Sequence, residues 1–246
     1  MNTETKNFQY DESFNPLKDY VCNGYDEAIS DKSQIRITYK KFLKWFNNQN
    51  YSELSKKDLD ANRLFKITGI TFNVYGDKDD TEKLIPFDMV PRIISSVEWE
   101  KVEKGVSQRI RAINSFLNDI YHNQEIIKAK ILPLELIYKN PAYLFQMVGF
   151  RPPNNIYNHI SGIDLIKTKA SEFYVLEDNV RVPSGISYMM KNRDIMINLF
   201  PELFAELPIR NSKLYPRNLS KFLKKSSPNS NVKYPVVAVL TPGVNN

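Results

Sequence analysis

Glu177, Asn179 and Arg181 recur at every second position of the run from Val175 to Arg181, which Val182-Pro183-Ser184-Gly185 follows. Side chains two apart on a strand share a face, so this spacing puts a carboxylate, an amide and a guanidinium on one surface and Leu176 and Asp178 on the other. Upstream, Ile160 to Lys167 is a second strand-like run, joined to the first through Thr168-Lys169-Ala170-Ser171. If the chain reverses between Ala170 and Ser171, Asp164 falls directly opposite Glu177. Opposed carboxylates repel unless something positive lies between them. A hard divalent cation held by carboxylate and amide oxygens removes that repulsion, and Mg2+ commonly uses one or two carboxylates together with substrate phosphates. Arg181 would reach the same phosphates. Asp164, Glu177, Asn179 and Arg181 are therefore a candidate Mg-nucleotide site. A plainer reading is that Glu177-Asp178-Asn179, close to Pro183 and Gly185, ends a strand at the surface. The connection carries no Gly or Asn-Gly to fix its register, so spacing leaves both readings open.

Beyond the strand, Ser184-Gly185 supplies a tight turn and Ser187 to Asn198 reads as a helix. Backbone N–H groups at such a helix start can receive an anion. His159, five residues before Asp164, falls on the opposite face of a regular strand and is expected to be a hydrogen-bonded structural histidine.

An Asp followed 13 residues later by Glu-x-Asn-x-Arg resembles the paired metal-binding strands of the ATP-grasp ligases. Other runs add to the likeness in order: Pro86-Phe87-Asp88-x-x-Pro91-Arg92, Glu98-Trp99, Gly105-x-x-Gln108-Arg109 and Asn114-x-Phe116-Leu117-x-Asp119-Ile120-Tyr121. With Leu176-Glu177-Asp178-Asn179-x-Arg181-x-Pro183-Ser184-Gly185, they resemble the circularly permuted ATP-grasp family, relatives of glutathionylspermidine synthase-like proteins. The likeness runs from about Tyr25 to Gly243. It implies ATP and Mg2+ as cofactors, with Asp164, Glu177 and Asn179 as metal ligands and Arg181 stabilising the transferring phosphoryl group. It also implies that Arg181, Ser184 and Arg193 meet the nucleotide. The implied activity is an ATP-dependent carboxylate–amine ligase working through an acyl-phosphate. Lys191 stands where the family usually carries an acid.

These residues need elements to hold them. Ser95 to Tyr121 is the clearest helix, opened by a Ser95-x-x-Glu98 capping box, with Trp99, Val102, Val106, Ile110, Ile113, Phe116, Leu117 and Ile120 along one face. Gly105 is a point where it could kink or divide, and Gln108, Arg109 and Arg111 lie off the apolar stripe and are most simply solvated, although Arg109, in one of the family runs, could serve a phosphate or an acidic partner. Tyr39 to Leu54 predicts a helix with an aromatic face, and Ser55 to Arg63 a second one with Ser55 as its N-cap. Phe65 to Tyr75 alternates like one or two strands bent at Gly69. Leu84 to Ile94 suits an edge strand or extended segment in which Asp88 and Arg92 could form a structural ion pair or could face the nucleotide site. Pro141 to Val148 reads as a further helix, Asn218 to Lys225 as a short basic amphipathic one, and Tyr234 to Gly243 as a buried strand.

Composition bounds the rest. The chain has 246 residues, 42% hydrophobic and 25% charged, as expected of a globular protein. Cys22 is its single cysteine, which rules out an internal disulfide and cysteine zinc sites, and two histidines are too few for a histidine-rich metal site. Any metal is expected to be oxygen-bound. The first residues have neither a basic opening nor an apolar core, and no run approaches the ~18 apolar residues of a membrane helix, so a cytoplasmic protein is expected. Seven of the cations behind the formal charge of +6 lie between Arg210 and Lys233, where there is no Asp or Glu. Basicity thus belongs to one segment, and without a stacking platform or RNA or DNA motif, nucleic acid is not the expected partner.

The fold expected is α+β and ATP-grasp-like, of the glutathione synthetase type. Its helical N-terminal portion spans residues 1–60, and an N-terminal half of the permuted domain, with an antiparallel metal-binding hairpin, spans 61–246. The final apolar run normally continues into a covering helix, so a truncated domain is the expectation. Such a half would be either part of a ligase joining small-molecule or peptide carboxylates to amines, or a non-catalytic fragment or subunit needing a separately encoded C-terminal half.

Overall fold

The computed structural model describes residues 20, 21, 24–30, 32, 34–69, 71, 72, 83, 84, 86–169, 172–229 and 231–240. It divides into two compact units that are interleaved in sequence. The first is made of Met1–Trp99, Ile166–Tyr174 and Ser184–Arg210, the second of Glu100–Leu165, Val175–Pro183 and Asn211–Asn246.

The first unit is built on α1 (Lys40–Phe46), α2 (Tyr51–Ile67), α6 (Ile186–Leu199) and α7 (Pro201–Glu206), with a two-residue antiparallel pair between β1 (Thr71–Phe72) and β2 (Lys83–Leu84). The aromatic spacing expected of the first helix is what buries it. Tyr39, Phe42 and Leu43 meet Ala61 and Phe65 of α2, and Ile195, Leu199 and Phe200 close the same core. Trp45 stands edge-on to Phe200 at 5.2 Å between ring centres, a geometry that aligns ring edge with ring face.

Helix boundaries depart from the sequence reading for identifiable reasons. The chain leaves α1 at Asn47, and Asn50, rather than Ser55, caps α2 by accepting the Glu53 N–H at 2.8 Å. Tyr51, expected on the aromatic face, is exposed. Phe65, Lys66 and Ile67 are helical and not strand, because Phe65 lies one turn after Ala61 on the buried face of α2. Gly69, at φ +64°, follows the last turn as a helix-ending residue instead of bending a strand. Among the described residues of the expected strand only Thr71 and Phe72 pair, and Ile70 and Asn73 to Tyr75 lie outside the described residues.

The second unit holds most of α3 (Ser96–Ile120), then α4 (Glu125–Lys128), α5 (Leu134–Tyr138) and α8 (Tyr215–Lys225). The capping box is present: Ser95 Oγ accepts the Glu98 N–H, and the Glu98 carboxylate accepts from Ser95. Gly105 leaves α3 continuous. Its far end packs Ile120 and Tyr121 against Ile137 and Tyr143, with Tyr121 stacked on Tyr143 and Tyr157. Pro141 to Val148 is a turn plus one 3-10 turn at Phe145–Met147, not a helix: Asn140 Oδ1 takes the Ala142 N–H, and Tyr143 is drawn into the aromatic stack.

Strands β3 (Gly162–Lys169) and β4 (Glu172–Asn179) form the second two-stranded sheet. Only two residues separate them in sequence, far too few for a parallel crossover, so the pair is antiparallel. The reversal expected between Ala170 and Ser171 falls outside the described residues. Tyr234 to Leu240 is not a buried strand. It has no ladder partner among the described residues, Pro235 offers no N–H to one, and Val236 and Leu240 are 95% and 96% exposed. The end of that expected strand, from Thr241, is outside the described residues.

Candidate functional site

β4 presents Glu177 and Asn179 on its exposed side, and Asn179 Nδ2 donates to Glu177 Oε1 at 2.8 Å. This bond turns the amide so that its donor faces the carboxylate and its carbonyl oxygen faces away. Register follows from a close approach: a Cβ built on Gly162 would lie 3.6 Å from Asn179 Cβ and 3.1 Å from Pro183 Cβ. Pairing Gly162 with Asn179 sets Asp164 beside Glu177, two residues further along each strand, and Asp164 too is exposed. Gly162 thereby lets the strand pass beneath Pro183, where a side chain would have to displace it.

The other side of β4 holds Asp178, as alternation demands. Arg109 of α3 grips it with two bonds, Nε to Oδ1 at 2.6 Å and Nη2 to Oδ2 at 2.5 Å. This fork holds the Asp178 carboxyl below its ordinary range and raises the Arg109 guanidinium. Just past the strand, Asn158 donates to the Val180 carbonyl and to that of Ile160, and its own backbone N–H goes to Asn114 Oδ1 of α3 at 2.9 Å. Asn158 is the one buried polar residue among those described, 9% exposed. Sequence reasoning offered Arg109 either a phosphate or an acidic partner without naming one, and Asp178 is that acidic partner; it did not single out Asn158. Their partners are 69 and 22 residues away, beyond anything local spacing can signal.

Asp164, Glu177, Asn179 and Arg181 belong to the second unit, whereas Ser184 and Arg193 belong to the first. Arg181 lies beyond the end of β4 and is exposed. Ser184 precedes Gly185, which at φ +98° takes the left-handed conformation required before α6. Arg193 projects from α6 and donates to the Arg210 carbonyl at 3.1 Å. His159 stands edge-on to Phe222 of α8 at 5.6 Å. Asp88 and Arg92 do not pair: Asp88 accepts the Val90 N–H, and Arg92 meets Glu27 at 2.6 Å.

Glu27 belongs to a charge network in the first unit. Lys167 of β3, its side chain only 4% exposed, bonds Glu98 at 2.8 Å and lies 3.8 Å from Glu27. Burial pushes Glu98 up, but Lys167 and Ser95 more than offset it and leave its pKa lowered. Burial likewise pushes Lys167 down, and the carboxylates of Glu98 and Glu27 leave it raised. Each charge is held in its ionised form by the other.

The donor atoms of Asp164, Glu177 and Asn179 are all oxygens, which suits a hard divalent cation better than a soft one. Among the described residues there is no cluster of three or more His, Cys, Asp or Glu side chains that could hold a metal, so any site here depends on the amide or on a ligand for its remaining donors. No helix among the described residues is long and apolar enough to cross a membrane.

Helices with two small antiparallel sheets make this a mixed helix and sheet protein. The chain belongs to the circularly permuted ATP-grasp family, whose model matches residues 91–246. It is 40% identical over 224 residues to an uncharacterized protein of Synechocystis sp., covering 91% of this chain and 46% of that one. An uncharacterized protein of Mycobacterium tuberculosis is 39% identical over 228 residues, covering 93% of this chain and 40% of its own. A Frankia casuarinae protein with the provisional name glutamate–cysteine ligase 2-2 is 32% identical over 229 residues, 92% of this chain and 26% of that protein. The chain thus spans about half the length, or less, of these curated relatives.

Proposed function

We propose that this chain carries the metal–nucleotide part of an ATP-dependent ligase that joins a carboxylate to an amine. The observation that carries the reading is the Glu177–Asn179 pair on the exposed face of β4, with Asp164 beside it on β3, in a chain of this family. Asp164, Glu177 and the Asn179 carbonyl would hold Mg2+, and Arg181 would reach the phosphates. Bound Mg2+ would neutralise charge developing on the phosphate oxygens. Arg181 would stabilise phosphoryl transfer to a substrate carboxylate, giving the acyl-phosphate that an amine then attacks, with phosphate leaving as the amide bond forms. The provisional ligase name of the Frankia relative supports this class without naming the substrates for this chain. Asp164→Asn is expected to weaken ATP binding in the presence of Mg2+ while leaving the weaker metal-free binding unchanged, measured by titration calorimetry. Equal affinity of the two proteins for Mg-ATP would overturn the reading.

A second reading is favoured by the exposed apolar run from Tyr234 to Leu240. In it this surface pairs with the remaining part of the family's domain, on the same polypeptide or a separate one, and nucleotide binding requires that part. Mixing the chain with a protein that supplies the remainder would then restore binding that the chain alone lacks.

A further inference from the structure

We infer that Arg109 and Asn158 are positioning residues, which hold β4 from behind so that Glu177 and Asn179 stay fixed on its open face. This inference rests on the metal–nucleotide reading above and deepens it. The two grips bracket Asn179 in sequence. Arg109 takes both oxygens of Asp178, on the side of the strand away from Glu177 and Asn179. Asn158 takes the Val180 carbonyl, and its other contacts leave it little freedom: Asn114 Oδ1 accepts the N–H of both Tyr157 and Asn158, Asn114 Nδ2 returns to the Asn158 carbonyl at 3.2 Å, and Ser161 Oγ donates to Asn158 Oδ1.

Both lines of force start on one rigid element, since Arg109 and Asn114 lie on the continuous helix α3 five residues apart. A forked guanidinium–carboxylate pair fixes orientation as well as distance, which a lysine could not do. A two-stranded hairpin is marginal by itself, so the strand bearing the oxygen donors needs outside support. Groups behind a ligand set commonly change metal affinity by about 10–100-fold without touching the metal.

The test uses the whole chain with Arg109→Met, Arg109→Lys, Asp178→Asn and the double variant Arg109→Met/Asp178→Asn. Arg109 is exposed, so its replacement leaves both cores intact. Amide hydrogen exchange is read across residues 172–181, and Mn-ATP affinity is read from the paramagnetic resonance of free Mn2+. Faster exchange confined to 172–181, with α1 and α2 unchanged, is expected for each single variant. Mn-ATP affinity is expected to fall by about tenfold in each, no further in the double variant, and to recover only in part with Arg109→Lys. A merely structural tie would lower thermal stability without this selective loss of metal-dependent affinity. Unchanged exchange, or single variants that bind Mn-ATP like the wild type, would overturn the positioning role while leaving the metal site standing. A wild-type chain that binds no Mn-ATP would overturn the metal–nucleotide reading, and the functional role of the two grips with it.

Discussion

The two faces of β4 divide their work residue by residue. Glu177 and Asn179 look outward and bond each other, while Asp178 between them looks back to Arg109. The Asp178 carboxyl is held low by that guanidinium. A lowered carboxyl contributes stability that is fully present above its unfolded-state pKa and is lost as the pH falls through its folded-state value. Wild type is therefore expected to lose part of its β4 protection as the pH drops below about 4, and Asp178→Asn to lack that portion of the acid dependence, both read by hydrogen exchange. An identical acid profile in the two proteins would show that the pair contributes nothing. Period-two spacing made the outward pair legible in the sequence, because alternation needs no tertiary information. It could place Asp178 on the reverse side but could not name Arg109, whose distance along the chain is set by the path of α3 and the loops after it.

At the scale of elements, capping decides where helices begin. Asn50 satisfies the Glu53 N–H at the start of α2, so Asn50→Ala is expected to cost about 1 kcal/mol in denaturant unfolding, and Asn50→Asp almost nothing. The same logic made the start of α3 readable from Ser95 and Glu98. It misplaced the start of α2, where Ser55 stood out by residue type but Asn50 makes the bond. Lys167 ties β3 to the first turn of α3 through Glu98. Removing one partner of a buried pair leaves the other charge uncompensated, so Lys167→Met is expected to destabilise by about 3–5 kcal/mol, with a fall in the denaturant midpoint. Glu98 is lowered and Lys167 raised. Their contribution therefore fails in acid, as the pH falls through the Glu98 value, and in strong base, as it rises through the Lys167 value; between these it is level. The apolar periodicity of α1 and α3 was legible because each buries one stripe, while Phe65 to Ile67 misled because β-branched and aromatic content carries no weight once Phe65 falls on the buried face of α2.

Across the whole molecule, two cores form around different helices, one on α1, α2 and α6 and the other on the end of α3. The resemblance carried by short runs in order led to the family, which the match over residues 91–246 establishes. The run from Tyr234 to Leu240 was not legible as it stands, since its composition suits burial and its surroundings give it none. Asp164, Glu177 and Asn179 are proposed to make a metal–nucleotide site on the open face of the hairpin. The most direct test of that site is thermal unfolding of the chain with and without Mg-ATP, beside Glu177→Gln. A ligand that binds only the folded state stabilises it by roughly 2.7 kcal/mol at a hundredfold excess over Kd. A rise in the midpoint for wild type that vanishes in Glu177→Gln is the expected result. The same rise in both proteins would contradict the assignment of Glu177 as a ligand, and no rise in wild type would contradict a working nucleotide site on this chain.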